Sequence, residues 1–370
     1  MRRPFAFLMG LLALLGCRPP GGSGEDEAFG PGAPRPDDPP TYEFSLAYRP
    51  PAGGSQVVTG IASFGGPGPV IFFEPRRATT VDAGGGVAAS SGLPEVSGEH
   101  STSPLTGNLV IHNLPAPDDR IEGAFAADFA GGARFAGVVT ASDGTYRGDC
   151  HLVRRTRNAS AAVLAGAYDV LGIAFSGASS ANEVSTWTFD GAGGFLATGE
   201  VRTSADPATA ARVSYSGSYA VAASGFLGAT VTASSTPLVP AGLSLEGAID
   251  PTGPQFFTLA AADAIGGIRR LVAVPAGAPP AGPEIEGTYR FAGVVIETAN
   301  GAEVATPLLG GTVAVDVAGA LVFDGSPAGW AAAAGAGYAV AYPTDRRSAS
   351  AASVATRPGA PRALLALWRP

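Results

Sequence analysis

Cysteine and histidine, which commonly serve as nucleophiles, metal ligands and proton-transfer groups, are scarce in this chain. Its 370 residues include two cysteines, Cys17 and Cys150, and three histidines, His100, His112 and His151. Cys150 and His151 are neighbours in TYRGDCHLV. Side chains alternate along a strand, so adjacency sends thiol and imidazole to opposite faces and forms no nucleophile–base pair. Period two instead predicts that Tyr146, Cys150 and Leu152 share one apolar face, with Cys150 a small buried thiol. Glu95, Glu99 and His100 fall together in LPEVSGEHSTS. Their types would suit a metal ion or an acid–base pair, but the polar run around them reads as a solvated loop. His112, beside Ile111, reads as an outward strand residue.

The recognised catalytic spacings do not occur. There is no HExxH or CxxC, no G-x-S-x-G elbow, and no lysine to close a phosphate loop at GGPGP or AGGGV. Asp190 in FDGAGG and Asp316 in DVAGA begin like calcium loops. Neither supplies the further acidic ligands, so both read as hairpin turns. The adjacent carboxylates Asp37–Asp38 and Asp118–Asp119 stand in proline-rich stretches and read as solvated. Arginine doublets occur at 76–77, 154–155, 269–270 and 346–347. Those at 154–155 and 269–270 close strand-rich stretches and are expected to be exposed caps. No catalytic, metal-binding or cofactor-binding residue is assigned.

One motif does carry chemistry. Residues 1–17 read MRRPFAFLMGLLALLGC, with basic Arg2 and Arg3 followed by an apolar stretch from Pro4 to Leu15. That stretch is too short to span a bilayer, which takes about 20 apolar residues, and it has the length of a signal-peptide core. The ending Leu14-Leu15-Gly16-Cys17 resembles the lipobox of bacterial lipoproteins. The resemblance implies cleavage between Gly16 and Cys17, a diacylglyceryl group on the Cys17 sulfur and acylation of the new amine. Three acyl chains, at about 0.8 kcal/mol per buried CH₂, would make the anchor permanent. Arg18, where an aspartate is absent, resembles lipoproteins sent on to the outer membrane. The expected location is therefore the bacterial cell envelope, held to the membrane through Cys17.

Residues 18–40, RPPGGSGEDEAFGPGAPRPDDPP, are too rich in proline and glycine to bury a core. They read as a tether. With Cys17 acylated, Cys150 is left without a disulfide partner.

The body must be built from strands. The chain has 53 glycines, 32 prolines and only 15% charged residues, which argues against long helices and coiled coils. All 23 basic residues are arginine and the net charge is −8, which disfavours nucleic acid as a partner. Three stretches open on a tyrosine: TYEFSLAY at Tyr42, AYDVLGIAF at Tyr168 and TYRFAGVVI at Tyr289. They close on CHLVRR, IRRLVAV and RALLALWR. In the middle unit Val213, Tyr215, Tyr219 and Val221 alternate with serines and alanine, the pattern of a strand with one buried face. Similar runs surround Trp187, Phe195, Leu245, Phe257 and Val272, separated by turns such as DGAG, AASG and DPTG.

The predicted fold class is all-β, with tandem antiparallel meanders forming small up-and-down, lipocalin-like barrels or β-sandwiches. The expected organisation is a signal peptide over 1–16 and the lipidated cysteine with its tether over 17–40. Three β domains follow at 41–156, 166–275 and a shortened 285–370. Function reads as a non-catalytic binding or structural protein of the envelope, with a protein, a polysaccharide or a small apolar ligand as partner. The alternative is a carrier of a small apolar ligand in a barrel cavity; a surface hydrolase ranks below it, and a membrane-spanning barrel last.

Overall fold

The computed structural model describes residues 41–368 apart from connecting segments, the longest being 126–133, 277–285 and 324–336. The signal peptide, Gly16, Cys17 and the tether lie outside the described residues, as do Asp118, Asp119, Asp316 and the turn at 250–253. The described chain is almost entirely antiparallel β-structure, as the period-two runs predict.

The first sheet contains β1 (Thr41–Tyr48), β2 (Ser55–Gly65), β3 (Val70–Val81), β4 (Val87–Ser91), β5 (Val96–Ser103), β6 (Asn108–His112), β7 (Arg120–Phe125), β8 (Arg134–Thr140) and β9 (Tyr146–Arg154). Its order is β2-β1-β9-β8-β7-β6-β5-β3-β4, and β2 also pairs with β3. That last pairing closes a ring of eight strands and leaves β4 outside it. β3 is long enough to serve both purposes. Val70–Phe73 pair with β5 in the ring, while Arg77–Val81 pair with β4.

The second sheet is a closed barrel of β10 (Gly166–Phe175), β11 (Ser180–Phe189), β12 (Gly194–Thr203), β13 (Ala211–Val221), β14 (Phe226–Ser234), β15 (Ser244–Ile249), β16 (Phe257–Ala262) and β17 (Ile268–Pro275). Each strand pairs with the next, and β17 returns to β10. This is the up-and-down barrel, and it leaves no edge strand. The turn predicted at Asp190 is present. Its carboxylate accepts the N–H groups of Ala192, Gly193 and Gly194 at 2.7–2.9 Å and fixes the hairpin between β11 and β12.

The third sheet, in the order β20-β19-β18-β23-β22-β21, is built from β18 (Gly287–Ala299), β19 (Ala302–Val315), β20 (Leu321–Phe323), β21 (Gly337–Ala341), β22 (Ser348–Val354) and β23 (Arg362–Trp368). In all three sheets the first strand pairs with both the second and the last. Tyr42, Tyr168 and Tyr289 sit near the starts of those first strands, and all are buried.

Two cores lie inside the rings. In the first, Tyr42, Phe44, Phe73, Phe135, Cys150 and Leu152 pack together. In the second, Trp187 stacks on Phe195 with ring centroids 4.7 Å apart, and Phe189 meets Tyr219 edge-on at 4.9 Å. Burying a side chain of this size contributes about 1.5–3 kcal/mol over leaving it exposed.

A third core lies between the sheets. Ala47 and Val57 of the first, Leu171, Ile173 and Val272 of the second, and Val294, Ile296 and Leu364 of the third meet in one apolar seam. The barrel's outer wall is therefore exposed mainly along β12–β14, and it is buried on β15, β16, β17 and the second half of β10.

Tyr146 belongs to this seam rather than to the face of Cys150 and Leu152. The β8–β9 ladder carries a bulge: Val139 opposes Gly148, while Thr140 opposes Tyr146. The extra residue reverses the alternation, and Tyr146 turns outward onto Phe175.

Candidate functional site

Strand β17 has the sequence IRRLVAVP and is buried along nearly its whole length. Alternation places Arg269, Leu271 and Ala273 inside the barrel and Ile268, Arg270, Val272 and Val274 in the seam. The two arginines therefore enter different cores from adjacent positions. They are 4% and 1% exposed, which corrects the expectation that this doublet is a solvated cap. A guanidinium is buried only where partners satisfy it, and each has its own set.

Inside the barrel, Arg269 Nη1 donates to Glu183 Oε2 at 3.0 Å and Nη2 donates to the Leu238 carbonyl at 2.5 Å. The other oxygen of Glu183 accepts from Tyr215 Oη and from Ser185 Oγ, the latter at 2.7 Å. Ser185 Oγ in turn accepts from Trp187 Nε1 at 3.2 Å. Glu183, Ser185 and Trp187 are alternate residues of β11, so period two gathers the network on one interior stripe. Leu238 belongs to the loop 235–243, which sends Val239 and Leu243 into the barrel core. Arg269 thus ties a plug to one end of the barrel. The 3-10 turn Ala161–Leu164 covers the other end, where it accepts hydrogen bonds from Tyr168 and Tyr219 and buries Leu164. This cap lies in the stretch between the expected first and second β domains, 41–156 and 166–275.

In the seam, Arg270 Nε donates to Asp149 Oδ1 at 2.7 Å, and Nη2 donates to the same oxygen. Nη1 donates to Ser45 Oγ at 2.7 Å and Thr258 Oγ1 at 3.2 Å, and Nη2 to the Ser45 carbonyl at 3.0 Å. One side chain of the second sheet therefore binds β1 and β9 of the first. A second link runs the other way, from Arg77 of β3 to Glu246 of β15 at 2.9 Å, with Thr59 Oγ1 donating to the same carboxylate at 3.0 Å. Arg49 adds a third, resting 4.9 Å from the Phe175 ring centroid and donating to the Ser176 carbonyl at 2.7 Å.

Burial dominates the electrostatics here. It pushes the Asp149 carboxyl up, against the pull of Arg270, and raises Glu246 against Arg77 and Thr59. It holds the His151 imidazole well below its ordinary range, and the nearby Arg270 cation adds to the effect. The Cys150 thiol is pushed up to about 12 by burial. Cys150 lies in the first barrel's core and His151 on the opposite side of β9, as the alternation predicts. Inside the second barrel, burial and the facing Glu183 raise Tyr215 well above its usual value.

Glu95 and Glu99 are exposed. Glu99 and His100 lie on β5 rather than in a loop, and the side chains of His100 and His112 fall outside the described residues. Sequence reasoning did not single out Glu183, Asp149 or Glu246. The available signal was a lone acid in an apolar period-two run: Glu183 in SANEVSTWTF and Glu246 in SLEGAI.

Chemically these clusters fasten. Both oxygens of Glu183 are already bonded to groups of the chain, and so is the Asp149 oxygen that meets Arg270. Each acid meets an arginine from a different strand.

No family model matches the chain, and no curated protein matches it. Among solved structures, a protein of unknown function from the DUF3598 family of Nostoc punctiforme aligns at a TM-score of 0.23 and 11% identity, covering 65% of this chain and 97% of that one. Kievitone hydratase from Nectria haematococca aligns at a TM-score of 0.17 and 10% identity, covering 64% and 89% respectively. Neither likeness is close enough to carry an argument.

Proposed function

We propose that this protein is a non-catalytic, lipid-anchored protein of the bacterial envelope, most consistent with the outer membrane, and that it binds a partner through the outside of a rigid β-body. The observation that carries the reading is how the buried charges are used. Glu183, Asp149 and Glu246 each join an arginine of another strand, and two of these pairs cross between sheets. Acid–base catalysis needs a carboxylate within hydrogen-bond reach of a substrate proton. These carboxylates are instead turned toward the chain's own arginines and hydroxyls.

The carrier alternative would place a small apolar ligand inside a barrel. The second barrel's interior holds Trp187, Phe189, Phe195 and Phe257 in mutual contact and is covered at both ends. Filled barrels support a binding surface on the outside, with a protein or a polysaccharide as partner.

The anchor rests on the lipobox-like Leu14-Leu15-Gly16-Cys17. Metabolic labelling of the full chain with an alkyne-bearing fatty acid tests it. Label on the wild type, lost together with membrane association in Cys17→Ala, supports the anchored reading; an unlabelled wild-type chain overturns it. Mass spectrometry of the detergent-extracted protein under native and denaturing conditions tests the rest. Equal masses support filled barrels, whereas a native excess that disappears on denaturation returns the carrier to first place.

A further inference from the structure

The strand left outside the first ring is built to pair. β4, Val87–Ala88–Ala89–Ser90–Ser91, is exposed at every residue, and Val87 is 66% exposed. It pairs with β3 on one side and ends the sheet order on the other, so among the described residues its second edge has no strand beside it.

The phase of the hairpin shows which groups face outward. The Asp82 N–H donates to the Gly86 carbonyl at 3.0 Å, making these two a hydrogen-bonded pair. Such pairs alternate along an antiparallel ladder, so Ala88 and Ser90 bond β3. The N–H and C=O groups of Val87, Ala89 and Ser91 point away from it. The edge is also preformed. Asp82 Oδ1 accepts the N–H groups of Gly84 and Gly86, both at 2.8 Å, and holds the turn closed.

Edge strands are usually blunted by charges, proline or a bulge. β4 has no charge and no proline, and its register with β3 is unbroken. We infer that the occupant of this edge is β4 of a second copy of the same chain. Antiparallel pairing about a two-fold axis at Ala89 sets Ala89 opposite Ala89, Ala88 opposite Ser90 and Val87 opposite Ser91. Every such pair is small and neutral, so a chain of net charge −8 meets its copy where no carboxylates face each other. The contact is isologous, the same edge serving both copies, so pairing through β4 closes at two chains.

The test is cysteine cross-linking of the purified full chain in detergent under mild oxidation, with linked peptides read by mass spectrometry. Ala89→Cys gives an 89–89 disulfide, because directly paired residues lie within the Cα separation a disulfide spans. A mixture of Val87→Cys and Ser91→Cys chains gives the 87–91 link. Sedimentation supplies a second measurement. Ala89→Glu, which places two carboxylates face to face, weakens the dimer by roughly five-fold, and mixing it with Ala89→Arg restores association. Absence of the 89–89 link, a link from residue 89 to another protein, or an Ala89→Glu chain that dimerises as well as wild type each overturns the inference.

Discussion

Arg269 and Arg270 are consecutive residues that serve two different cores. The first reaches Glu183 inside the second barrel, and the second reaches Asp149 across the seam to the first sheet. A one-residue slip of β17 would turn each onto the opposite face, away from its own acid, and would turn Leu271 out of the core. The doublet therefore fixes strand register and sheet packing together.

Removing Arg270 should be costly, because Asp149 would be left buried without its counter-ion. Arg270→Met is expected to destabilise by about 3–5 kcal/mol in equilibrium urea unfolding. The double variant Asp149→Asn with Arg270→Met should recover a large part of that loss. A double-variant loss equal to the sum of the losses in Arg270→Met and Asp149→Asn alone would show that the two residues do not couple.

The seam should weaken in mild acid through His151. Its folded pKa is depressed by burial and by Arg270, so the unfolded chain takes up a proton first as pH falls. Its contribution is complete above an unfolded pKa of about 6.5 and is lost progressively below it. The raised Asp149 and Glu246 work in the opposite sense, because the folded state holds their protons more readily. Comparing wild type with His151→Asn isolates the histidine. The stability difference between them should be constant from pH 7 to 8 and shrink toward acid, with wild type losing more. Parallel pH curves would contradict this.

One charged hydrogen bond ties the Leu238 part of the plug to the second barrel. In Arg269→Met the Leu238 carbonyl loses its donor and Glu183 its ion pair. Hydrogen exchange should then accelerate at Gly242 and Leu243, whose N–H groups bond the Val231 and Pro240 carbonyls. The amides at the opposite end, near Leu164, should keep wild-type rates. A change confined to that opposite end would refute the assignment.

Cys150 should be inert while the protein is folded. Its thiol is 1% exposed and raised to about 12, so almost no thiolate is present near neutral pH. Iodoacetamide at pH 8 should leave it unmodified in native protein and alkylate it in denaturant. Rapid native alkylation at Cys150 would show that the first barrel's core opens readily.

The fold class was legible in sequence because local rules suffice for it. Alternation in ARVSYSGSYAV marks one buried face whatever that face meets, and DGAG between WTF and FLATGEV marks a hairpin. The same local logic placed Cys150 and His151 on opposite faces. It failed at Tyr146, because the bulge opposite Thr140 depends on the partner strand. It failed again at the arginine doublet, because charge in a sequence reads as exposure unless a counter-charge is known to be near. Asp149 stands 121 residues from Arg270, and Glu183 86 residues from Arg269.

By itself, then, the sequence determined an all-β chain with two-residue periodicity and tight turns, since each follows from neighbours along the backbone. The tertiary structure decided which strand closed each ring, which outer wall became a core and which charges became fasteners. Those outcomes depend on groups brought together from distant positions, and burial makes an arginine's partners the condition for its being there.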